Sequence, residues 1–153
     1  MVRRIVTGNN AQGRSYFVSD ETVDEMYIWQ SPEGAQLGEG TPLLPSTAPG
    51  IEPPACGSKV VHVQMEPWKE MKARLAHGEI SGLDADGFHR TATIDYIMVV
   101  GGEVNLLLDE GHTTVRAGDL VVQRNTNHAW HNLSETPVDF WGVMVSILPD
   151  RGA

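Results

Sequence analysis

The second half of the chain consists of short apolar segments separated by turn residues. Between His89 and Ile147 these segments recur at intervals of roughly 8–12 residues, the spacing of strands in a β-sandwich or barrel. In residues 94–100, IDYIMVV, successive side chains would point to opposite faces of an extended strand. Gly101-Gly102 then predicts a two-residue hairpin turn, because glycine adopts positive φ without a steric clash. We therefore predict an all-β domain.

The first half of the chain predicts strands, an irregular arm and one helix. Three apolar segments, RRIVTG, RSYFVSD and DEMYIWQS, are followed by a stretch dense in Pro and Gly from Pro32 to Gly57, which is typical of an ordered surface arm. KVVHVQMEP predicts another strand, and Trp68, Met71 and Leu75 have helical spacing. We expect one domain over residues 1–153, with strands and arm in 1–58 and the barrel core in 59–148.

Charge and hydropathy exclude several classes of partner. The formal net charge is −9, and Arg3-Arg4 is the only adjacent basic pair, so the chain should not bind nucleic acid. It contains no apolar run long enough to span a membrane, and its polar N-terminus lacks the apolar core of a signal peptide. The single cysteine, Cys56, cannot form an internal disulfide, which favours a cytoplasmic location.

The segment GFHRTATIDYIMVVGGE combines polar and apolar side chains on one predicted strand face. If residues 87–99 form one extended strand, these side chains share a face: His89, Thr91, Thr93, Asp95, Ile97 and Val99. That face is polar at its start and apolar at its end, which is typical of a barrel interior with a wet mouth above a packed floor.

This segment resembles the first motif of the small, single-domain cupins of the cupin-2 conserved-barrel type. The family motif has a Gly, a His-x-His pair, a Glu and a second Gly. Here Gly82 or Gly87 precedes His89, Thr91 stands at the second His, Asp95 replaces the Glu, and Gly102 is the second Gly. The resemblance implies a jelly-roll barrel, to which this chain adds the N-terminal arm and the short helix.

The second cupin motif is also present in modified form. Gly118-Asp119 opens it, His128 is its histidine and Asn132 follows at the family distance. The turn QRNTNHAW is one residue shorter than the common form and lacks its proline and second glycine. The wording HRTxTxDY…GGE…AGDLVVQRNTNHAWHN looks like a recurrent subgroup of small cupins and covers about sixty residues of the chain.

The resemblance implies a site made of His89, Asp95 and His128. Two imidazoles and a carboxylate can form the facial triad of non-haem Fe(II), and Zn²⁺, Mn²⁺ or Ni²⁺ would also suit these ligands. The family's third histidine is replaced by Thr91, however, so the alternative is a metal-free cavity. In that case His89, Asp95 and His128 would act as general acid and base.

Four further residues are candidates for substrate binding. Thr91 lies on the same predicted face as the histidine, and Gln123 and Arg124 lie at the shortened turn, where Arg124 could pair with a carboxylate. Trp130 has the same parity as His128 and could form a wall of the cavity.

The function stays open among three classes at this stage. The first is an enzyme on a small oxygenated or aromatic molecule, of dehydratase, decarboxylase or isomerase type. The second is a metal-dependent dioxygenase, and the third is a non-catalytic small-ligand-binding module. Apolar residues on both strand faces also predict a homodimer, with the arm of one subunit along the sheet of the other.

Overall fold

The computed structural model describes residues 1–31 and 50–147, which form ten strands and one helix. The strands are β1 (Val2–Asn9), β2 (Ser15–Val23), β3 (Tyr27–Ser31), β4 (Ser58–Met65), β5 (Thr93–Gly101), β6 (Glu103–Leu108), β7 (His112–Arg116), β8 (Leu120–Arg124), β9 (His128–His131) and β10 (Val138–Ser146). The helix α1 spans Trp68–Ala76.

The strands form two facing sheets and a separate N-terminal hairpin. A five-stranded sheet has the order β3-β4-β10-β5-β8, a three-stranded sheet has the order β7-β6-β9, and β1 pairs only with β2. All strand pairs are antiparallel. This is the predicted all-β jelly roll, although the two sheets are not hydrogen-bonded into one continuous barrel wall.

The hydrophobic core lies between the two sheets. The five-stranded sheet contributes Ile97, Val99, Val138 and Phe140, and the three-stranded sheet and its edge contribute Val104, Leu106, Val115 and Trp130. Val99 and Val104 are each 1% exposed, so the packing is tight at this end of the sandwich. The apolar floor predicted below the polar face is therefore present.

Two local predictions are wrong. The strand does not run unbroken from residue 87, because β5 begins at Thr93 and His89 pairs with His128 through an isolated bridge. Gly101-Gly102 does not close a hairpin either: β5 and β6 belong to different sheets, and the chain crosses between them at Gly102, where φ is +82°. The predicted helix is confirmed at Trp68–Ala76.

The predicted arm over 32–57 lies outside the described residues from 32 to 49. Residues 50–57 form bends and turns that lead into β4. The division of the chain at residue 58 stays a prediction. Within residues 1–31 and 50–147, no helix is long and apolar enough to cross a membrane.

Candidate active site

A cavity of about 640 Å³ opens between the sheets, above the core. Its walls are mostly apolar and include Val61, Val63, Ile97, Trp130, Phe140 and Met144. Polar side chains also line it, and five of them lie at one end: His89, Thr91, Asp95, Gln123 and His128. This combination of apolar walls and a few convergent polar groups is typical of a small-molecule site.

His89 and His128 form the centre of the polar end. Their backbones exchange two hydrogen bonds, from His89 N to His128 O (2.9 Å) and from His128 N to His89 O (3.0 Å). Because the two residues are direct partners in this bridge, their rings lie side by side, with centroids 4.2 Å apart. Backbone pairing thus brings the histidines of the two cupin motifs together, although they are far apart in the sequence.

The hydrogen bonds of the two rings define which nitrogen is available. His128 Nδ1 is 2.9 Å from Thr126 O, and His89 Nδ1 is 3.3 Å from Gly87 O. A carbonyl oxygen can only accept, so each Nδ1 carries the proton and each Nε2 keeps its lone pair. The backbone therefore holds both rings in the tautomer that suits a base or a ligand.

Burial keeps both imidazoles neutral. Desolvation lowers the pKa of His128 to about 4, with a further lowering from the nearby His89 and an opposing effect from the Thr126 carbonyl. Desolvation also lowers the pKa of His89, while the Gly87 carbonyl and the carboxylates of Asp95 and Asp84 oppose that shift. At neutral pH both Nε2 atoms are consequently unprotonated.

Asp95 and Gln123 lie next to each other on β5 and β8, where they are direct partners in the strand register. Gln123 Nε2 donates to Asp95 Oδ2 at 2.9 Å, and both side chains are almost fully buried. Desolvation raises the pKa of Asp95, and the nearby Thr93 hydroxyl and the Gln123 amide oppose the shift. Asp95 is therefore a stronger base than an exposed aspartate.

Thr91 and Thr93 complete the polar end of the site. Their hydroxyl oxygens are 2.7 Å apart, and both residues are buried. The two hydroxyls bond each other, so Thr91 is part of a hydrogen-bond network at this end of the site. It places a hydroxyl group where the family motif has its second histidine.

The donor set does not fit the expected metal triad as it stands. Among the described residues, no group of three or more His, Cys, Asp or Glu side chains is placed to hold a metal ion. Asp95 offers only its Oδ1 atom, because Oδ2 accepts from Gln123, and Thr91 supplies no imidazole. A metal at His89, Asp95 and His128 thus stays a prediction that this arrangement does not favour.

The structure brings together six of the seven predicted site residues. His89, Thr91, Asp95, Gln123, His128 and Trp130 all line the cavity. Arg124 does not, because it follows Gln123 in the same strand and its exposed side chain lies on the opposite face. The structure therefore does not place Arg124 in the cavity lining, and its predicted role in substrate binding stays a prediction.

The sequence motifs do not identify several of the residues that line the cavity. Tyr27, Gly50 and Ile51 come from the N-terminal third, and their place in the lining follows from long-range packing alone. Met71 of α1 also lines the cavity, and here the helical spacing of Trp68, Met71 and Leu75 was the available signal.

The sequence is similar to proteins of fungal biosynthesis clusters. It is 39% identical over 103 residues to the phomopsin biosynthesis cluster protein C′ of Diaporthe leptostromiformis, covering 67% of this chain and 44% of that protein. It is 32% identical over 139 residues to the cupin-domain-containing oxidoreductase srdD of Neurospora crassa, and the alignment covers 86% of this chain and 66% of that protein. It is 27% identical over 138 residues to the cupin-domain-containing oxidoreductase virC of Hypocrea virens, and the alignment covers 86% of this chain and 67% of that protein. The chain thus spans less than half of the phomopsin cluster protein.

Solved structures with a weaker overall likeness include two cupins. A cupin domain from Bordetella pertussis is 19% identical, with a TM-score of 0.41 over 59% of this chain and 82% of that chain. A cupin-2 conserved-barrel protein from Salinispora arenicola is 13% identical, with a TM-score of 0.39 over 59% of this chain and 62% of that chain. No protein-family model matches the sequence. The similarity to cupin-domain-containing proteins extends over 86% of this chain and the sheets have jelly-roll order, so the chain has a cupin-type fold and resembles the cupin-domain-containing oxidoreductases.

Proposed function

We propose that the chain is a small cupin enzyme that transfers protons within its cavity on a small oxygenated or aromatic molecule. The observation that carries this proposal is the pair of neutral imidazoles, His89 and His128, whose free Nε2 atoms lie at the polar end of an apolar cavity. Asp95 adds a third proton-accepting group with a raised pKa in the same cavity.

The geometry supports an isomerase or a dehydratase best. A free Nε2 would take a proton from a carbon next to a carbonyl group, which leaves an enolate in the cavity. The same proton can return to another carbon, which is an isomerisation, or it can leave with a hydroxyl group as water. A decarboxylase is less well supported, because no Lys or Arg side chain among the described residues lines the cavity to hold a carboxylate.

The relatives support an enzymatic role in a coarser way. Two of them are named oxidoreductases, and another is named for a biosynthesis cluster. An oxidoreductase, including a metal-dependent dioxygenase, is therefore the alternative, and a module that only binds a small ligand is the third possibility. Uptake of O₂ by Fe(II)-loaded protein would favour the alternative, whereas binding with no turnover would favour the third.

Deuterium exchange tests the proton-transfer proposal without knowledge of the natural substrate. The full chain, freed of metal by chelation, is incubated in D₂O with 2-tetralone, and deuterium uptake at the carbons next to the carbonyl is followed by NMR. We expect catalysed exchange that persists in chelator, falls about 100-fold or more in His128→Gln, and is unchanged in Arg124→Gln, which alters a side chain outside the cavity. Wild-type exchange in His128→Gln would remove the proposal.

We also propose that the protein is a homodimer. Support comes from apolar side chains exposed on the outer face of the five-stranded sheet, namely Tyr96, Met98, Val100, Leu120, Val122 and Val145. The register places Tyr96 beside Val122 and Met98 beside Leu120, so the patch is continuous up to the β8 edge. Contiguous exposed patches of this kind are typical of protein interfaces. A cytoplasmic location stays a prediction.

A further inference from the structure

The polar end of the cavity contains two buried hydrogen-bond acceptors that lack a donor. Asp95 is 4% exposed and Gln123 is 5% exposed, and both line the cavity. Within the described part of the chain, Asp95 Oδ1 and Gln123 Oε1 have no hydrogen-bond partner. Buried polar atoms are nearly always paired, so two adjacent unpaired acceptors at one site require donors from bound water or from a ligand that displaces it.

The neighbouring groups of the described chain are engaged mostly elsewhere and leave these two acceptors unpaired. The Gln123 amide group already donates to Asp95 Oδ2, and the Nδ1 protons of His89 and His128 point to backbone carbonyls. The hydroxyls of Thr91 and Thr93 share one hydrogen bond, which uses one of their two protons. The polar end therefore presents mainly acceptors: two imidazole lone pairs, one carboxylate oxygen and one amide oxygen.

The charge and the apolar walls of the cavity further restrict the class of ligand that it can bind. The described lining contains no Lys or Arg, and Asp95 would repel an anion, so an acidic ligand would be desolvated without compensation. The remaining walls are hydrocarbon and aromatic, including Trp130 and Phe140, whose rings lie 5.8 Å apart. The body of the ligand should accordingly be apolar.

We infer that the cavity binds an uncharged molecule with an apolar body and two neighbouring hydroxyl groups, one donating to Asp95 Oδ1 and the other to Gln123 Oε1. This inference rests on the proposed function in treating the cavity as the substrate site, and it adds the substrate class. Because Asp95 and Gln123 are direct partners on β5 and β8, their acceptors are held side by side on rigid strands. They are the residues that determine specificity.

A ligand series that differs only in its donors tests the inference. Binding of 2,3-dihydroxynaphthalene, 3-methoxy-2-naphthol, 2,3-dimethoxynaphthalene and 3-hydroxy-2-naphthoate to the full chain is measured by calorimetry at pH 7.5. We expect the dissociation constant to rise about tenfold for each methylated hydroxyl, and the naphthoate to bind at least about tenfold more weakly than the diol. Equal affinities for the diol and the dimethyl ether, tighter binding of the naphthoate, or no binding of the diol at its solubility limit would overturn the inference.

Two variants test whether Asp95 causes the preference for the diol over the dimethyl ether. Asp95→Asn keeps an oxygen for the Gln123 amide but places an N–H₂ group where Oδ1 lies, so the preference for the diol over the dimethyl ether should fall at least tenfold. The control is Met144→Leu, a change in the apolar wall that should alter all affinities alike and keep the preference. The wild-type series is decisive even if a variant does not fold. Its failure would leave the proton-transfer role intact, since that role is tested separately by exchange in His128→Gln.

Discussion

His89 and His128 are held side by side by their own backbones, with reciprocal hydrogen bonds of 2.9 and 3.0 Å and ring centroids 4.2 Å apart. The pairing joins the chain just before β5 to the start of β9 and so connects the two sheets at the polar end of the cavity. Side chains placed in this way cannot separate without loss of the backbone bridge. Protonation of the pair should therefore affect the fold as well as the chemistry.

We predict that the protein loses stability as the pH falls from about 6.5 to about 4. Burial lowers the pKa of His128 from 6.5 to about 4 and lowers that of His89 as well. In this window the unfolded chain binds more protons than the folded chain, so the free energy of unfolding decreases with decreasing pH. His128 alone accounts for about 2–3 kcal/mol of this loss. Urea unfolding at pH 7 and pH 4.5 measures it.

His128→Gln is the control for this prediction. Glutamine fills part of the same space but does not titrate, so the stability difference between the two pH values should shrink by about 2–3 kcal/mol. Asp95 acts in the opposite direction, because its raised pKa makes the folded chain the better proton acceptor at low pH. An unchanged pH dependence in His128→Gln would show that the imidazole is not the titrating group.

Lys59→Met should destabilise the protein by about 1–3 kcal/mol. Lys59 is 1% exposed, and its Nζ donates to Gly50 O at 2.9 Å and Glu52 O at 3.0 Å, above the ring of Tyr27. Methionine has similar length but no donor, so both carbonyls lose their partner, while removal of a buried charge offsets part of the cost. The urea midpoint gives the change. Lys69→Met on the exposed side of α1 should stay within about 0.5 kcal/mol, and equal shifts in both variants would contradict the prediction.

Gly57→Ala should cost more than about 2 kcal/mol, whereas Gly101→Ala should cost less than about 1 kcal/mol. A Cβ atom on Gly57 would lie 2.3 Å from Ser31 O and 2.9 Å from Pro54 Cγ, so the backbone would have to move. The contact nearest to a Cβ on Gly101 is Asp139 Cβ at 3.5 Å, which is ordinary packing distance. Thermal unfolding of both variants provides the comparison, and a stable Gly57→Ala would show that the entry to β4 is not fixed by this close approach.

Period-two alternation predicted the part of the cavity wall that residues 89–97 form. It placed Thr91, Asp95 and Ile97 on one face, and these residues line the cavity. The same rule, applied to β8, separates Gln123 from Arg124, so the expectation for Arg124 came from the family turn and not from strand parity. Strand faces are local properties, and sequence pattern determines them well.

Sheet membership was not predictable in the same way. A Gly-Gly turn permits a tight reversal, but it does not specify whether the next strand pairs with the last one or crosses to a facing sheet. Here β5 and β6 lie in different sheets, and the crossing buries Val99 and Val104 in the same hydrophobic core. Similarly, the pairing of His89 with His128 depends on contacts between residues 39 positions apart in the sequence.

The exposed face of the five-stranded sheet leads to a prediction about assembly. We expect a particle of twice the chain mass of 16.7 kDa by light scattering at micromolar concentration, because Leu120 and Val122 on the edge strand are 58% and 50% exposed beside other apolar side chains. Val122→Lys places a charge in this patch and should yield monomer without loss of thermal stability in the single chain. Leu133→Lys, at an exposed apolar site outside the strands, is the control and should leave the dimer intact. A monomeric wild-type protein would contradict the prediction.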